Sequence, residues 1–280
     1  MMIQTKLLAL YGLKYNPFMP DVPSEALYIY PQLENFCWRI ENNLISEGGF
    51  ALISGEVGTG KSVALRVLAD KLSCLRDVQV GIIVHPSANL SDFYRELGDI
   101  FGVPLKAHNR WNGFKNLRER WHHHQQSTLR RPILFIDEAQ EMNSSVLNEL
   151  RLLSSMQFDS RLLLTVIFAG DLRFNDKLRR DELIPLGSRI RVRFNTEYAS
   201  SEQLMKSLQH LIDSAGNSSL MTSGLMQTLC DHAMGNYRVL CTMASELLDL
   251  ATQQERTLLD EKFYLDCFAV PSSTPKQKRS

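Results

Sequence analysis

The feature that most constrains this chain is a glycine-rich loop, Gly55–Ser62, which follows a short apolar run and precedes an amphipathic stretch. Its letters, GEVGTGKS, place glycine at the first, fourth and sixth positions and end in lysine and serine. Glycine lets the backbone turn so that successive amide N–H groups converge on an anion, and a helix that begins at the lysine adds its positive end. The pattern predicts a phosphate-binding loop between a buried strand and a helix.

Residues of this loop are assigned distinct roles by their chemistry. Lys61 would bring a full positive charge to the β- and γ-phosphate oxygens, and the hydroxyl of Ser62 would bind Mg²⁺. The sequence therefore predicts ATP and Mg²⁺ as cofactors. The predicted nucleotide contacts are Gly55, Glu56, Val57, Gly58, Thr59, Gly60, Lys61, Ser62 and Val63, together with Asp137 and Arg238.

A second motif, Ile133–Glu138, consists of four apolar residues followed by two carboxylates. In a parallel sheet such a strand delivers its carboxyl end to the ligand crevice. Asp137 would hold Mg²⁺ through water, and Glu138 would orient and deprotonate the attacking water. The adjacent acidic pair favours a protein that hydrolyses ATP over one that only binds it.

Two further residues are candidates for contact with the γ-phosphate. The apolar run Leu162–Gly170 predicts another strand, and Asp171 stands at its carboxyl end. Arg238 ends the sequence GNYR at the start of a predicted helix, from which its side chain would reach back to the γ-phosphate.

Short apolar runs alternate with helical periodicities through the first 200 residues. Buried strands are predicted at residues 50–54, 78–84, 132–137, 161–169 and 190–194, with helices between them. This alternation predicts an α/β fold, in which a parallel sheet carries helices on both faces. After Tyr198 the pattern changes to helices at residues 201–215, 223–232 and 237–254, with a short strand signal at 262–270.

These patterns predict a P-loop αβα core followed by a small helical lid. The predicted divisions are a lead-in that packs on the core (residues 1–48), the nucleotide-binding core (49–196), the lid (197–270) and a disordered polar tail (271–280).

Charge gives no global sign of a nucleic-acid partner, because 31 basic residues balance 31 acidic ones. A local basic excess does lie between Leu105 and Arg131. Its side chains would contact DNA phosphates without reading sequence, although a solvated helical face is the alternative. Trp111 and Trp121 in the same segment are expected to pack in the core. The candidate DNA contacts are Lys106, Arg110, Lys115, Arg118 and Arg120.

Cysteine usage and hydropathy favour a cytoplasmic protein without a membrane partner. The five cysteines show no CxxC spacing, which is typical of thiols in a reducing compartment. No apolar run approaches the roughly 18 residues of a membrane span, and the N-terminus lacks the features of a signal peptide. His122–His124 cannot all ligate one ion, because consecutive helical residues point in different directions. Mg²⁺ at the nucleotide is the metal that we expect.

Seven segments of the sequence, in this order along the chain, resemble those of AAA+ ATPases of the ExeA (general secretion pathway A) type. They are YGLKYNPF, GEVGTGKS, FIDEAQEM, LRLLS, AGD, RRDELIPLGSRI and GNYR. The transposition ATPases MuB, TnsC and TniB are similar in architecture. The resemblance covers residues 8–255 and implies homo-oligomeric rings or filaments with ATP between subunits. It also implies an arginine supplied in trans by a neighbour, for which Arg189 matches best and Arg179 and Arg180 are alternatives. The family often has a neutral residue at the position of Asp171.

Two functions from different classes remain open. The first is an ATP-dependent DNA-binding regulator that oligomerises on double-stranded target DNA and recruits or activates a transposase, with slow, regulatory ATP hydrolysis. The second is a secretion or pilus-assembly ATPase, or a nucleotide switch that acts on a protein partner without DNA. Secretion members of the ExeA type carry a transmembrane helix and a peptidoglycan-binding domain after the ATPase. This sequence contains neither, so we expect the first function.

Overall fold

The computed structural model describes residues 2–105, 109–157 and 160–268, with side chains described from Thr5 onward. The predicted tail of residues 271–280 and the DNA candidate Lys106 lie outside these ranges. The described residues divide into two compact units at Tyr28 and at Tyr198. The core unit is Ile29–Tyr198, and the helical unit joins the described residues on either side of it.

The core unit alternates strands with helices. Its strands are β1 (Gly49–Gly55), β2 (Val80–Ile83), β3 (Ile133–Ile136), β4 (Ser155–Met156), β5 (Arg161–Leu162), β6 (Thr165–Gly170) and β7 (Ile190–Thr196). Its helices are α2 (Pro31–Arg39), α3 (Ile45–Glu47), α4 (Lys61–Ser73), α5 (Leu90–Phe101), α6 (Arg110–Thr128), α7 (Ser144–Ser154), α8 (Leu172–Leu178) and α9 (Ile184–Gly187). A π-helical segment, Ile40–Leu44, joins α2 to α3, and a short 3-10 helix, Ala139–Glu141, follows β3.

The main sheet is parallel, with strand order β2-β3-β6-β1-β7, which confirms the predicted α/β class. Every residue of β1, β3 and β6 is buried, as expected for strands covered by helices on both faces. Phe50 of β1 stacks on Phe168 of β6, with ring centroids 6.0 Å apart. Because the strands are parallel, the carboxyl ends of β1, β3, β6 and β7 lie at one edge of the sheet.

The single strand predicted for residues 161–169 is two strands. Arg161–Leu162 pairs antiparallel with Ser155–Met156 as a small hairpin, and the sheet strand begins at Thr165. The amide of Leu163 bonds to the carbonyl of Ser154 at 2.7 Å, which directs the chain from the hairpin into the sheet. Because the apolar run Leu162–Gly170 is continuous, its pattern does not show that the chain changes from one strand partner to another within it.

The helical unit is built from α1 (Met2–Tyr11), α10 (Ser201–Ala215), α11 (Ser223–Ala233), α12 (Tyr237–Gln253) and α13 (Glu261–Phe268). The start of α10 is fixed by a capping box, in which Ser200 and Gln203 each bond the other's backbone amide. The strand signal at residues 262–270 is wrong as far as Phe268. Phe263 and Tyr264 are buried in helical packing, and Asp260 accepts the amide of Phe263 at 2.8 Å. Residues 269–270 lie outside the described part.

The predicted packing of the lead-in on the core is wrong for the residues before Ile29. Leu7 and Tyr11 are buried in the apolar cluster of the helical unit, and Leu8 and Leu10 pack against it, which removes these apolar side chains from water. The hydroxyl of Tyr11 donates to the carbonyl of Arg256 at 2.8 Å, and Asn217 Nδ2 donates to the carbonyl of Tyr11 at 2.8 Å. From Ile29 onward the lead-in does belong to the core unit, where Phe36 stacks on Phe194 with centroids 5.1 Å apart.

Candidate functional site

The phosphate loop connects β1 to α4 at the carboxyl edge of the sheet. Gly58 and Gly60 have φ of 82° and 95°, in the left-handed region that favours glycine. A Cβ atom at Gly55 would lie 2.1 Å from Thr196 Oγ1 and 2.3 Å from its carbonyl oxygen, so only glycine fits. Lys61 is the first residue of α4, and the N–H groups of this helix start therefore open toward the loop.

Lys61 is folded over its own loop. Its Nζ donates to the carbonyl oxygens of Gly55 at 2.9 Å and Glu56 at 2.8 Å, and only 8% of the residue is exposed. An ammonium group has three donors, so these two bonds fix its direction without using all of its capacity. Ser62, the next residue, is exposed, as are Glu56, Val57 and Val63.

Two threonine hydroxyls join the loop to the last strand of the sheet. Thr59 Oγ1 lies 2.7 Å from Thr196 Oγ1 and donates to the carbonyl of Glu56 at 2.8 Å. Thr196 also lies 3.2 Å from the carbonyl of Ser54. Thr196 follows β1 by more than 140 residues, and nothing in the sequence marks it as part of this site. The loop is therefore held on two sides before any ligand binds.

The acidic pair lies where β3 ends. Asp137 is half-buried, and its Oδ1 accepts the amide of Glu138 at 2.9 Å. Glu138 is exposed and has φ of 51°, a left-handed conformation that is unusual for a residue with a side chain. The strained turn directs two consecutive carboxylates toward the same edge of the sheet as the phosphate loop.

Gln140, which the sequence did not mark as a site residue, connects the acidic pair to β6. Its Nε2 donates to Glu138 Oε2, and its Oε1 accepts the amide of Asp171 at 3.1 Å. The residue is 8% exposed, and a Cβ at Gly170 would lie 2.9 Å from its Oε1. Both functional groups of the Gln140 amide are thus used to join the ends of two neighbouring strands.

Asp171 serves as the N-cap of α8 and forms an ion pair. Its Oδ1 accepts the amide of Arg173 at 2.9 Å, and its Oδ2 accepts Arg173 Nε at 2.8 Å. Burial acts to raise the pKa of Asp171, but the bonds from Arg173 and the charges of Arg173 and Lys61 outweigh it, so the pKa is lowered. Asp171 therefore lies within electrostatic reach of Lys61, with its charge already balanced by Arg173. The Asp-x-Arg spacing at a helix start was the available sequence signal for this pair.

The three candidates for the trans arginine lie between α8 and β7. Arg179 is exposed and pairs with Asp176 at 3.1 Å, and Arg180 is exposed as well. Arg189 is half-buried, and its guanidinium donates to the carbonyl of Pro185. A surface cavity of about 740 Å³ opens in this segment, with Arg179 and Arg193 among its lining residues.

Arg238 lies in the helical unit, as the second residue of α12. Asn236 caps this helix by accepting the amides of Arg238 at 3.0 Å and Val239 at 3.1 Å. The side chain of Arg238 is exposed. The local geometry is the predicted one, an arginine at an exposed helix N-terminus.

The described basic residues of α6 are bonded within the protein. Arg110 makes a bidentate pair with Glu149, which is 3% exposed and also accepts the hydroxyl of Tyr94 at 2.6 Å. Lys115 pairs with Glu119 at 3.7 Å. These contacts give Arg110 a structural task and leave Lys115 at the surface.

Two more arginines of α6 donate hydrogen bonds to carbonyl oxygens at the ends of the neighbouring helices α7 and α5. Arg118 donates to the carbonyl oxygen of Leu152 at 2.9 Å and to that of Ser155, at the end of α7. Arg120 Nε donates to the carbonyl of Phe101, the last residue of α5, at 3.4 Å. Burial lowers the pKa of Arg118 from its ordinary value. Helix α6 therefore joins α5 and α7 through its cations.

The expectation that both tryptophans of this segment pack in the core is right for Trp121 and wrong for Trp111. Trp121 is fully buried and contacts Phe101 edge-on, at 5.2 Å between centroids. Trp111 is 76% exposed and stacks on Phe114, at 6.2 Å and 6°. The residues lie ten positions apart on one helix, so they point to different faces, and only one of those faces meets the core.

The residues present fit a nucleotide with Mg²⁺. The serine hydroxyl and the carboxylate of Asp137 are oxygen ligands of the kind that Mg²⁺ prefers, and the glycine backbone leaves room for phosphates where side chains would intrude. Among the described residues, no group of three or more histidine, cysteine, aspartate or glutamate side chains is placed to hold another metal. Over the same ranges, every helix is too short or too polar to cross a membrane.

Comparison with known proteins agrees with this geometry. Residues 43–178 match the family described as AAA domain. A curated relative, general secretion pathway protein A from Aeromonas hydrophila, is 30% identical over 188 residues, which are 66% of this chain. The aligned region is 34% of that relative, so the chain spans about a third of its length.

Solved structures show the same fold at low identity. Cdc6p from Pyrobaculum aerophilum has a TM-score of 0.68 at 16% identity, over 87% of this chain and 67% of that one. The Aeropyrum pernix ORC1 protein, solved in complex with DNA, has a TM-score of 0.65 at 16% identity, over 89% of this chain and 67% of that one. The chain thus has the parallel-sheet AAA+ P-loop fold with a helical C-terminal part, and its sequence is similar to an AAA domain and to general secretion pathway protein A.

Proposed function

We propose that this chain is an ATP-dependent DNA-binding regulator that oligomerises on double-stranded target DNA and recruits or activates a transposase. The observation that carries the nucleotide part is the preformed phosphate loop. Its glycines are the residues that the backbone requires, and its lysine is bonded to carbonyls that phosphate oxygens can replace. The proposal has three steps, namely nucleotide chemistry, coupling between subunits and DNA contact.

In the nucleotide step, the loop amides and Lys61 Nζ would bind the β- and γ-phosphates. Ser62 and, through water, Asp137 would hold Mg²⁺, which neutralises charge on the phosphate oxygens when it is bound. Glu138 would take a proton from the attacking water as the water oxygen bonds to the γ-phosphorus and ADP leaves. Gln140 would hold the Glu138 carboxylate in place.

Coupling between subunits would use arginines from two places. Arg189 of a neighbouring copy would stabilise negative charge that develops on the γ-phosphate, with Arg179 or Arg180 as alternatives. Arg238 would report the nucleotide state to the helical lid. ATP binding would then favour a homo-oligomeric ring or filament, and hydrolysis would release it.

DNA contact is supported by the local basic segment and by the fold. The proposed contacts of this segment remain Lys106, Arg110, Lys115, Arg118 and Arg120. Lys115 is exposed, and its ion pair with Glu119 is a surface pair of the kind that contributes little to stability. The ORC1 protein of the same fold was solved in complex with DNA.

A second candidate is a secretion or pilus-assembly ATPase, or a nucleotide switch on a protein partner. The similarity to general secretion pathway protein A favours it. In that case the same nucleotide site would act on a partner at the cell envelope, and DNA would not bind.

The two candidates are separated by measuring binding to labelled duplex DNA with ATP, ADP or no nucleotide, across a salt series. The DNA regulator requires binding that depends on ATP, weakens with salt and fades with ADP. Intact ATP hydrolysis with no DNA binding in any nucleotide state would contradict it and support the envelope candidate. Lys61→Ala serves as the control that removes the nucleotide dependence.

A further inference from the structure

Three arginines lie at the amino-terminal edge of the sheet, opposite the phosphate loop. Arg131 precedes β3, Arg161 begins the hairpin strand that leads into β6, and Arg191 is the second residue of β7. The sheet strands are parallel, so these positions share one edge. Strand β1 separates this edge from the phosphate loop by its own length, about 20 Å for seven residues.

The side chains of Arg131 and Arg191 lie beside Gly48 and Gly49, where β1 begins. A Cβ at Gly48 would lie 2.8 Å from Arg131 Cδ, and one at Gly49 would lie 3.6 Å from Arg191 Cδ. Arg131 Nε donates to the carbonyl of Leu162 at 2.8 Å, which places Arg131 beside the chain neighbour of Arg161. The glycine pair therefore leaves the space through which two of the arginines pass.

The charges of this group are poorly balanced. Within the described residues only Arg191 forms an ion pair, with Glu47 at 2.7 Å, and both side chains are more than half exposed. Burial lowers the pKa of Arg131 and the charges of Arg161 and Arg191 lower it further, while the charge of Glu47 acts in the opposite direction. Holding like charges together has a cost, and in a chain of zero net charge this arrangement is not a consequence of composition. Arg110 of α6, in contrast, is paired with the buried carboxylate of Glu149.

We propose that Arg131, Arg161 and Arg191, here called the arginine cluster, bind the phosphate backbone of double-stranded DNA. The inference rests on the proposed DNA-binding function and assigns its contact surface to the sheet edge, in addition to α6. Guanidinium groups are always charged and match phosphate oxygens with paired donors. A duplex presents one phosphate charge per about 1.7 Å of its axis, so it engages several fixed guanidiniums at once.

The test measures anisotropy of labelled duplex DNA with the full chain and ATP, from low to moderate salt. The variant is Arg131→Gln with Arg161→Gln and Arg191→Gln. Its control is Arg39→Gln with Arg76→Gln and Arg95→Gln, which removes the same charge from exposed positions of the core unit. A further variant, with lysine in place of all three cluster arginines, keeps the positive charge. Thermal melting and ATP binding establish that each variant is folded.

We expect the cluster variant to bind DNA at least about tenfold more weakly, with a log–log salt slope flatter by about 2 to 3, or about 0.9 per phosphate contact. The control should change the slope by less than about 1, and the lysine variant should keep most of the wild-type slope. Equal losses in the cluster variant and the control would overturn the inference while leaving DNA binding intact.

Two other outcomes are informative in different ways. If the wild-type chain binds no DNA in any nucleotide state, the proposed function and this inference both fail. The second outcome has two parts: polyglutamate displaces labelled DNA as effectively as an unlabelled duplex of equal charge, and the cluster variant loses polyglutamate binding but keeps DNA binding. That result would mean that the surface belongs to an acidic protein partner. The DNA assignment of the cluster is then wrong.

Discussion

The phosphate loop and helix α6 both carry positively charged side chains, but these cations are held in different ways. Lys61 bonds to carbonyls five and six positions before it, within its own loop. Arg110, Arg118 and Arg120 bond to groups 19 to 39 positions away, on other helices. A ligand can replace the partners of Lys61 without disturbing the fold, whereas removing those of α6 disconnects three helices. The first arrangement is suited to binding and the second to stability.

The largest expected effect tests the binding side of this comparison. Lys61→Ala should abolish ATP binding, with a loss of about 100-fold or more, because hydrogen bonds to a charged group contribute about 1.5–3 kcal/mol each. Titration with a fluorescent ATP analogue measures it. Lys71→Ala, in the last turn of the same helix, is the matched control. Binding by the Lys61 variant at wild-type affinity would contradict the assigned role.

Glu138→Gln should retain ATP binding and lower the rate of hydrolysis by about 10²–10⁴, since the amide cannot accept the proton of the attacking water. It should also trap the ATP-bound assembly, which is measured by sedimentation. Glu141→Gln removes an exposed carboxylate three residues later and is the control. Hydrolysis by the Glu138 variant at the wild-type rate would mean that another group is the base.

On the α6 side, Arg110→Ala should lower the free energy of unfolding by about 2–3 kcal/mol, because it leaves the buried carboxylate of Glu149 without its cation. Lys115→Ala should change it by less than about 0.5 kcal/mol, since its pair is exposed. Denaturant titration of both variants measures the contrast. If the two variants had the same free energy of unfolding, the Arg110–Glu149 pair would not stabilise the fold, and the distinction between α6 and the phosphate loop would fail.

Gln140→Ala should lower kcat by about tenfold, or about 1.4 kcal/mol of activation free energy, and leave the affinity for ATP unchanged. The reason is that Gln140 bonds the carboxylate of Glu138 and the backbone at the end of β6, and makes no predicted contact with the nucleotide. Asn at this position, one methylene shorter, should restore little of the rate. A change in ATP affinity with kcat retained would place Gln140 in binding instead.

The smallest expected effect is at the end of α6. Leu129 has φ of 59° and is 80% exposed, so its side chain contributes little packing while its backbone is strained. Leu129→Gly should raise the free energy of unfolding by about 0.5 kcal/mol, the difference between the cost of a left-handed leucine and the flexibility of glycine. Thermal unfolding measures it. A loss of stability would show that the exposed leucine has a packing role.

Sequence patterns predicted the features whose causes are local. The glycines of the loop, the strand that precedes Asp137 and the helix that begins at Lys61 all follow from residues within a few positions of one another. Thr196, Gln140 and the bonds of Arg118 depend on elements brought together by folding, and no local spacing reports them. The same reason explains the lead-in, whose apolar residues could satisfy either unit.

Exposure on α6 was unpredictable for a related reason. Trp111 and Trp121 are the same residue type, and the sequence of a 19-residue helix does not say which of its faces neighbouring elements will cover. The structure buries the face of α6 that carries Trp121 and leaves the face that carries Trp111 exposed. Hydrophobic pattern identifies which residues can be buried, and packing decides which of them are.

The strand order has a consequence for how the chain is made on the ribosome. Strand β1 pairs with β6 and β7, whose first partners are Thr165 and Ile190. Until the segment after residue 164 leaves the exit tunnel, the apolar residues of β1 have no strand on either side. A nascent chain of this length exposes an aggregation-prone segment, and we expect it to be a substrate for holding chaperones during translation. The nucleotide loop, although encoded early, is completed only when Thr196 arrives.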